Sequence, residues 1–414
     1  MTAPLRLGTR GSRLAVAQSR QVARALEAAT GRPVELVRVV THGDVNRASL
    51  ATIGGVGVFA TALREALAAG EIDLVVHSCK DLPTAAETRL EIAAMPRRAD
   101  VRDVLVTRAG QTPATLPAGA RIGTGSTRRQ AQVRRLRPDA RVVDIRGNVD
   151  SRLARLDADL DGVVLAAAGL TRLDPAADVT GGSLLATPLG RADLTVHPLA
   201  ADAWVPAPAQ GVLAVETRRD EAALVDVLDD PATRLAATLE RAVLAGLGSG
   251  CAAPVGVHAT VAADGAVLVH ARVYDVVDEV EAPGPQPGDV ALDVTLDDVP
   301  AYADAARITA WATAAGEGIA RRLVAAGADR VIAAAEVLAE RAADATAPLD
   351  GPAPLDGPAT QDGPVTQDGP VTQDGPATLH GPVAPHGSTA GHPAVPAPVV
   401  GDHPDATDVS GESR

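Results

Sequence analysis

Over the first 230 or so residues, apolar positions fall into two alternating patterns. Short continuous runs predict buried strands at Leu5–Leu7, Val34–Val40, Leu74–His77, Arg121–Gly123, Val142–Ile145, Gly162–Ala166 and Leu213–Thr217. Between them, helical periodicity predicts helices at Leu14–Ala29 (with Ser12 as N-cap), Thr61–Ala69, Arg128–Leu136 and Val149–Leu156. Strands alternating with helices imply α/β layers. From Pro231 the pattern changes. A helix over Ala232–Leu247 ends at glycines, strands are expected at Val255–Val261 and Val267–Tyr274, a long helix spans Asp304–Ala325, and a last short strand is expected near Val331. That reads as a smaller α+β unit.

After about Ala345 neither pattern persists. A six-residue unit, roughly Asp-Gly-Pro-Ala/Val-Thr-Gln, starts at Asp350, Asp356, Asp362, Asp368 and Asp374 and again at His380. Glycine does not fall at every third position, which excludes collagen. No aliphatic position recurs that a β-helix rung could bury. The segment is read as a disordered acidic tail, because it has too little apolar surface to offset the entropy of ordering.

Composition changes this picture little. Apolar residues make up 46% of the 414 but aromatics only 1%, so the core must be built of Ala, Val and Leu. A formal net charge of −14 argues against broad binding to nucleic acid or to an anionic membrane. It leaves room for a local basic pocket. Two cysteines make no disulfide framework, and no metal-type spacing is present, so no metal is expected. There is no signal-like apolar run at the N-terminus and no stretch long enough to span a bilayer. The expectation is a soluble, cytoplasmic protein without a membrane partner.

Lys80 is the only lysine in the chain. It lies in His77-Ser78-Cys79-Lys80-Asp81-Leu82-Pro83, directly after a predicted strand, where α/β proteins place ligands. Lysine and arginine differ in size, hydration and pKa, so a single lysine in an arginine-rich chain is informative. Asp81 beside it offers a carboxylate for proton transfer. The plainer reading is a solvated loop ion pair.

Arginines recur at strand-to-helix junctions: in Gly123-Thr124-Gly125-Ser126-Thr127-Arg128-Arg129, in Arg146-Gly147-Asn148-Val149-Asp150-Ser151-Arg152, at Arg172, and in Thr9-Arg10-Gly11-Ser12. A helix start offers free N–H groups to an anion, and guanidinium forks match carboxylates. Together these predict a cleft for a polyanion, against the alternative of ordinary surface arginines. Cys251, flanked by Gly248-Ser249-Gly250 and Ala252-Ala253, sits outside any apolar pattern and has no adjacent base. It suits an attachment point at least as well as an inert loop cysteine. Cys79 follows a strand and is expected to pack.

Taken in order, these segments resemble the porphobilinogen deaminase family. Thr41-His42-Gly43-Asp44, Gly54-Gly55-Val56-Gly57-Val58-Phe59, Arg102-Asp103, Ala168-Gly169-Leu170 and Ala209-Gln210-Gly211 add to the match. The resemblance implies two α/β domains like the halves of type II periplasmic binding proteins, a smaller α+β C-terminal domain, and then the tail. The corresponding boundaries are 1–99 with 204–226, 100–203, 227–345 and 346–414. It implies a monomeric transferase of tetrapyrrole biosynthesis. Four porphobilinogens are joined head to tail, with loss of ammonia, onto a dipyrromethane cofactor held by Cys251, and hydroxymethylbilane is released by hydrolysis.

By the same resemblance Asp81 and Lys80 are catalytic. Ser12, Lys80, Asp81, Thr124, Ser126, Arg128, Arg129, Arg146 and Gly147 contact the cofactor, while Arg10, Ser12, Phe59, Arg146, Arg152 and Arg172 contact substrate. Gln18 and Gln210 take hinge or scaffold roles. Val56 and Thr52 stand where many relatives have lysine, and the residues around Ala186–Ala203 read as loop variation. The alternative is a two-lobed anion-binding module that kept the fold without the chemistry.

Overall fold

The computed structural model describes residues 3–39, 58–85, 87–174, 188–250, 252–277, 280, 282–301 and 304–345. Its first sheet takes strands β1 (Leu5–Thr9), β2 (Val34–Arg38), β3 (Leu74–Ser78) and β4 (Leu90–Ala94), with helices α1 (Arg13–Thr30) and α2 (Val58–Ala68). Ser12 caps α1 by accepting from the Ala15 N–H at 3.3 Å, and Gly31, at φ 69°, ends it in the left-handed region. A second sheet is built from β5 (Asp103–Arg108), β6 (Arg121–Gly123), β7 (Arg141–Val143), β8 (Gly162–Ala166) and β9 (Leu194–Pro198), with helices α3 (Thr127–Leu136), α4 (Val149–Leu153) and α5 (Ala167–Leu173). The chain then returns as β10 (Leu213–Arg218) to the first sheet.

The two sheets share one plan. The first runs β2-β1-β3-β10-β4 and the second β7-β6-β8-β5-β9. In each, three strands are parallel, and the fourth in the order lies antiparallel to both neighbours. That fourth strand is the returning β10 in one sheet and the entering β5 in the other. Each sheet is therefore completed by a segment that has just crossed from the other.

A third unit follows. Asp230 caps α6 (Pro231–Gly246) by accepting from the Thr233 N–H, with Pro231 at the first turn where its missing N–H costs nothing. An antiparallel sheet of β11 (Val255–Val261), β12 (Val267–Val273) and β13 (Val290–Leu296) packs with α6, α7 (Ala305–Ala325) and α8 (Ala328–Ala345). Its core is almost wholly aliphatic: Leu235, Leu239 and Val243 of α6 meet Val257, Val269 and Ala271 of the sheet and Ile308, Ile319 and Leu323 of α7. The architecture is the expected one of two α/β bodies and a smaller α+β body.

Several local expectations are corrected. The region near Val331 is helical, in α8, and not a strand. Ala333–Ala335 carries high helix propensity, and buried Ala328, Ile332 and Ala335 recur at helical spacing. Strands β4, β5, β9 and β13 lie outside the predicted set. β9 occupies part of the stretch read as loop variation and pairs with β5 along its whole length.

The three bodies are joined by buried polar groups. Glu240 of α6, fully buried, takes both terminal nitrogens of Arg98 at 2.7 and 2.9 Å, the Ala209 N–H at 2.6 Å and the Ala259 N–H at 2.8 Å. Arg98 also donates to the Gln210 carbonyl. At Gly211, φ is +87°, and a Cβ there would meet the Ala99 carbonyl at 2.6 Å, so the two crossing segments can touch only if this residue is glycine.

Removing one partner of a buried ion pair strands the other and costs about 3–5 kcal/mol. Glu240→Ala should therefore lower unfolding stability by about that amount, read in urea from the fluorescence of the two tryptophans, Trp204 and Trp311. A loss below about 1 kcal/mol would show that the pair contributes little net stability.

Candidate active site

The chain leaves β3 at Ser78 and turns through a short 3-10 segment, Cys79–Asp81. Cys79 points inward, fully buried and unbridged, among Ala60, Leu82, Met95, Val212 and Ala237. Burial pushes its thiol up to about 11, so it packs and does not react. With Cys79 facing the core, Asp81 is exposed and Lys80 partly buried beside it. The Ser78 hydroxyl accepts from Gln18 at 2.8 Å, and the Lys80 ammonium donates to Oε1 of Gln210 at 3.1 Å.

Gln210 spans the junction. Its Nε2 donates to Asp103 at 2.7 Å and to the Val101 carbonyl. Asp103, fully buried at the start of β5, also accepts from Arg129 at 2.6 Å, Arg128 at 2.8 Å and the Trp204 indole at 2.8 Å. Burial alone would raise its pKa, but Arg129 and Arg128 override this and hold the carboxyl well below the usual range.

This arrangement revises the expected role of Arg128. Its two terminal nitrogens are taken by Asp103 and the Val205 carbonyl, so the fork assigned to a ligand is spent inside the protein. Arg129 sits in the same cage, with its other terminal nitrogen on the Val164 carbonyl. The expected helix start is present: Ser126 caps α3, and buried Thr124 accepts from the Ser126 N–H. Thr127 adds a link that composition could not reveal, because its hydroxyl donates to the carbonyl of Ala252, the residue after Cys251.

The remaining arginines divide by exposure. Arg146 is exposed, 3.6 Å from Asp144. Arg152 donates its Nε to the carbonyl of Gly147, which is held at φ +108°. Arg172 donates to the Gly211 carbonyl at 2.6 Å, its Nε is buried with no hydrogen-bond partner among the described residues, and burial brings its pKa down to about 10. Arg10 and Ser12 stand at the head of α1, where the next residue, Arg13, pairs with Asp150 of α4 at 2.5 Å. The Arg10–Ser12 and Arg146–Arg152 segments therefore face each other.

Electrostatics gathers these groups around one space. Arg152 is lowered first by burial and then by Arg129, with Arg146 also opposing it and Asp81 and Asp144 favouring its charge. Lys80 is brought down to about 8, by burial first and Arg129 second. In both, burial is the larger cause, and Asp81 favours the charge that Arg129 opposes. Among the described residues no cluster of His, Cys, Asp and Glu could hold a metal ion, and no helix is long and apolar enough to cross a membrane.

Cys251, the side chain of Phe59, the glycine-rich segment with Val56 and Thr52, and the 346–414 tail lie outside the described residues. Two residues that contact the junction and the turn went unpredicted. Arg98 carried no motif. Arg241 donates to the carbonyls of Cys79 and Leu82 at 3.0 Å each and of Pro83 at 2.7 Å, and only its place on α6 hints at this.

Two family models match the chain: "Porphobilinogen deaminase, dipyromethane cofactor binding domain" over residues 5–226, and "Porphobilinogen deaminase, C-terminal domain" over 234–284. The chain belongs to the porphobilinogen deaminase family. A porphobilinogen deaminase of Thermobifida fusca is 43% identical over 337 residues, which cover 80% of this chain and 97% of that one. One from Leifsonia xyli subsp. xyli is 51% identical over 278 residues, 65% of this chain and 79% of that one. Among solved structures, a periplasmic binding protein of Salmonella typhimurium with high arginine specificity aligns over 55% of this chain and 91% of its own, at 14% identity and a TM-score of 0.30.

Membership makes the chain a deaminase of porphobilinogen that works on a dipyrromethane cofactor, and the cation-rich space fits that cofactor's acid side chains. The relatives' names support the enzyme reading over the binding-module alternative.

Because Lys80 is the sole lysine, amine-directed labelling read by peptide mass reports on it without interference from other side chains. Its midpoint should fall near pH 8 in protein lacking the cofactor. Added carboxylates favour the ammonium, so the midpoint should rise in cofactor-loaded protein. Identical midpoints near 10 in both forms would contradict the burial of this ammonium beside Arg129.

Proposed function

We propose that Asp81 is the carboxylate that drives condensation and that the cations around it orient the acid arms of cofactor and substrate. The observation carrying this is the turn after β3, where an exposed carboxylate stands beside the sole lysine and lies within electrostatic reach of Arg152. Asp81 protonates the aminomethyl nitrogen of porphobilinogen. The carbon–nitrogen bond breaks, ammonia leaves, and the carboxylate stabilises the cation that remains. Lys80, held by Gln210, and Arg129, held by Asp103, present fixed positive charge. Such preorganised charge need not reorganise during the reaction.

Cys251 is the residue that would hold the dipyrromethane, which supplies the primer onto which pyrroles are joined. Thr124, Ser126, Lys80, Arg146 and Gly147 line its acid side chains in this reading, with Ser12 opposite. Arg10, Arg146, Arg152 and Arg172 receive incoming porphobilinogen, and Phe59 covers it. Arg128 and Arg129, both engaged by Asp103 and backbone carbonyls, act from behind the surface. The division into 1–99 with 204–226, 100–203 and 227–345 is supported by the three sheets. A cytoplasmic monomer is the reading that the family resemblance suggests, and the net charge of −14 supports the reading without nucleic-acid partners.

Intact mass spectrometry of the purified protein should show one dipyrromethane above the sequence mass, absent in Cys251→Ser. Fully active protein at the bare sequence mass would overturn the assignment. Asp81→Asn should keep the added mass yet lower kcat by about 10²–10⁴-fold, the range for loss of a general acid. Unaltered turnover would remove Asp81 from the mechanism.

A further inference from the structure

Helix α6 presents different residues to different bodies. Leu235, Leu239 and Val243 pack into the core of the third body, and Glu240 takes the junction through Arg98 and Ala209. Arg234, Ala237 and Arg241 recur at three- and four-residue spacing and so share a stripe. All three meet the first body. Arg234 donates to the carbonyls of Ile92 and Ala93 in β4, Ala237 packs in the cluster that contains Cys79, and Arg241 reaches three carbonyls of the turn bearing Asp81.

The contacts of Arg241 are selective. Cys79, Leu82 and Pro83 bracket Lys80 and Asp81 on both sides. Within the turn the Leu82 N–H donates to the Cys79 carbonyl at 3.2 Å, and the Cys79 N–H donates outward to the Val212 carbonyl at 3.0 Å. A planar guanidinium can engage the three oxygens together, whereas an ammonium is a point charge without that fork. The turn thus receives three hydrogen bonds from a residue of another body, on the helix whose chain continues through Gly248-Ser249-Gly250 to Cys251.

We propose that Arg241 is a positioning residue for the reaction: it fixes the Cys79–Pro83 turn and thereby the direction in which Asp81 presents its carboxylate. This rests on the reading of Asp81 as the reacting carboxylate. Misplacing a reacting group by about 1 Å can cost on the order of 10²-fold in rate, with little effect on substrate binding elsewhere in the cleft.

The test compares Arg241→Gln and Arg241→Lys with Arg234→Gln, in full-length protein whose cofactor content is established by intact mass. Arg234 makes the same kind of carbonyl contact from the same stripe, but to β4 and away from Asp81, so it controls for loss of a link between bodies. Both Arg241 variants should carry the cofactor and show kcat at least tenfold lower, with KM for porphobilinogen within threefold. Amide hydrogen exchange over residues 79–85 should rise while that over residues 103–108 stays unchanged. Arg234→Gln should hold kcat within twofold. If Arg241→Gln does not fold, Arg241→Lys is judged by the same thresholds.

Three outcomes would overturn the proposal: kcat within twofold in the Arg241 variants, an equal loss in Arg234→Gln, or variants that lack the cofactor. Asp81→Asn run alongside separates the two layers. If it is inactive while the Arg241 variants are normal, only the positioning role fails. If it is active, the reading beneath it fails.

Discussion

The carboxylate of Asp103 is the point on which the site depends. It is fully buried, and it accepts from two arginines, one glutamine and one indole, which come from both the second body and the returning segment. A buried charge with fewer partners would be costly, and two buried guanidinium groups without it more so. Each therefore makes the others tolerable. The consequence reaches Lys80 through a single side chain, because Gln210 gives its amide to Asp103 and its carbonyl oxygen to the ammonium. The lysine's position in the first body is thus referenced to the first strand of the second.

Around this hub the topology explains why the junction is so polar. Each α/β sheet needs a strand delivered from its neighbour, so two segments must cross side by side and their backbone groups need partners away from water. The Gly211 carbonyl is shared by the Ala99 N–H and Arg172, the Gln210 carbonyl goes to Arg98, and the Ala209 N–H goes to Glu240. Ala209, at φ 59°, adopts a conformation that non-glycine residues avoid, and the bond to Glu240 helps to hold it there. Joints made of such directed bonds fix geometry more tightly than an apolar seam of the same size.

Much of the fold was legible because aliphatic runs and helical periodicity report burial directly. Strands β1, β3, β6, β8 and β10 and helices α1, α6 and α7 fall where the pattern puts them. What escaped had physical reasons. β13 is only half buried, with burial that weakens along its length, so its signal was faint. α8 was misread because Val331-Ile332 look β-branched in isolation, while the alanines around them decide the outcome. At the site, the turn with Lys80 and Asp81 and the junction arginines were legible as a set. Their division was not, since sequence cannot show that Asp103 claims Arg128. The motif Ala209-Gln210-Gly211 pointed to a scaffold, but Arg98, Glu240 and Arg241 lie in segments that look like ordinary amphipathic helix and loop.

That division of the arginines bears on how one cleft can serve a growing polyanion. Arg128 and Arg129 are held by internal carboxylate and carbonyl oxygens, four directed hydrogen bonds that fix both guanidinium groups within the protein. Arg146 is largely solvated, and Arg152, among the described residues, donates one hydrogen bond, to the Gly147 carbonyl. Groups of the first kind hold a constant reference, and groups of the second kind can exchange water or one carboxylate for another at small cost, because an exposed ion pair is worth at most about 1 kcal/mol. A site that must grip the same primer through several additions, yet release each acid arm as the product lengthens, needs both kinds. In the reading proposed above Asp81 is the reacting carboxylate, and Lys80, the residue beside it, lies within electrostatic reach of Arg129.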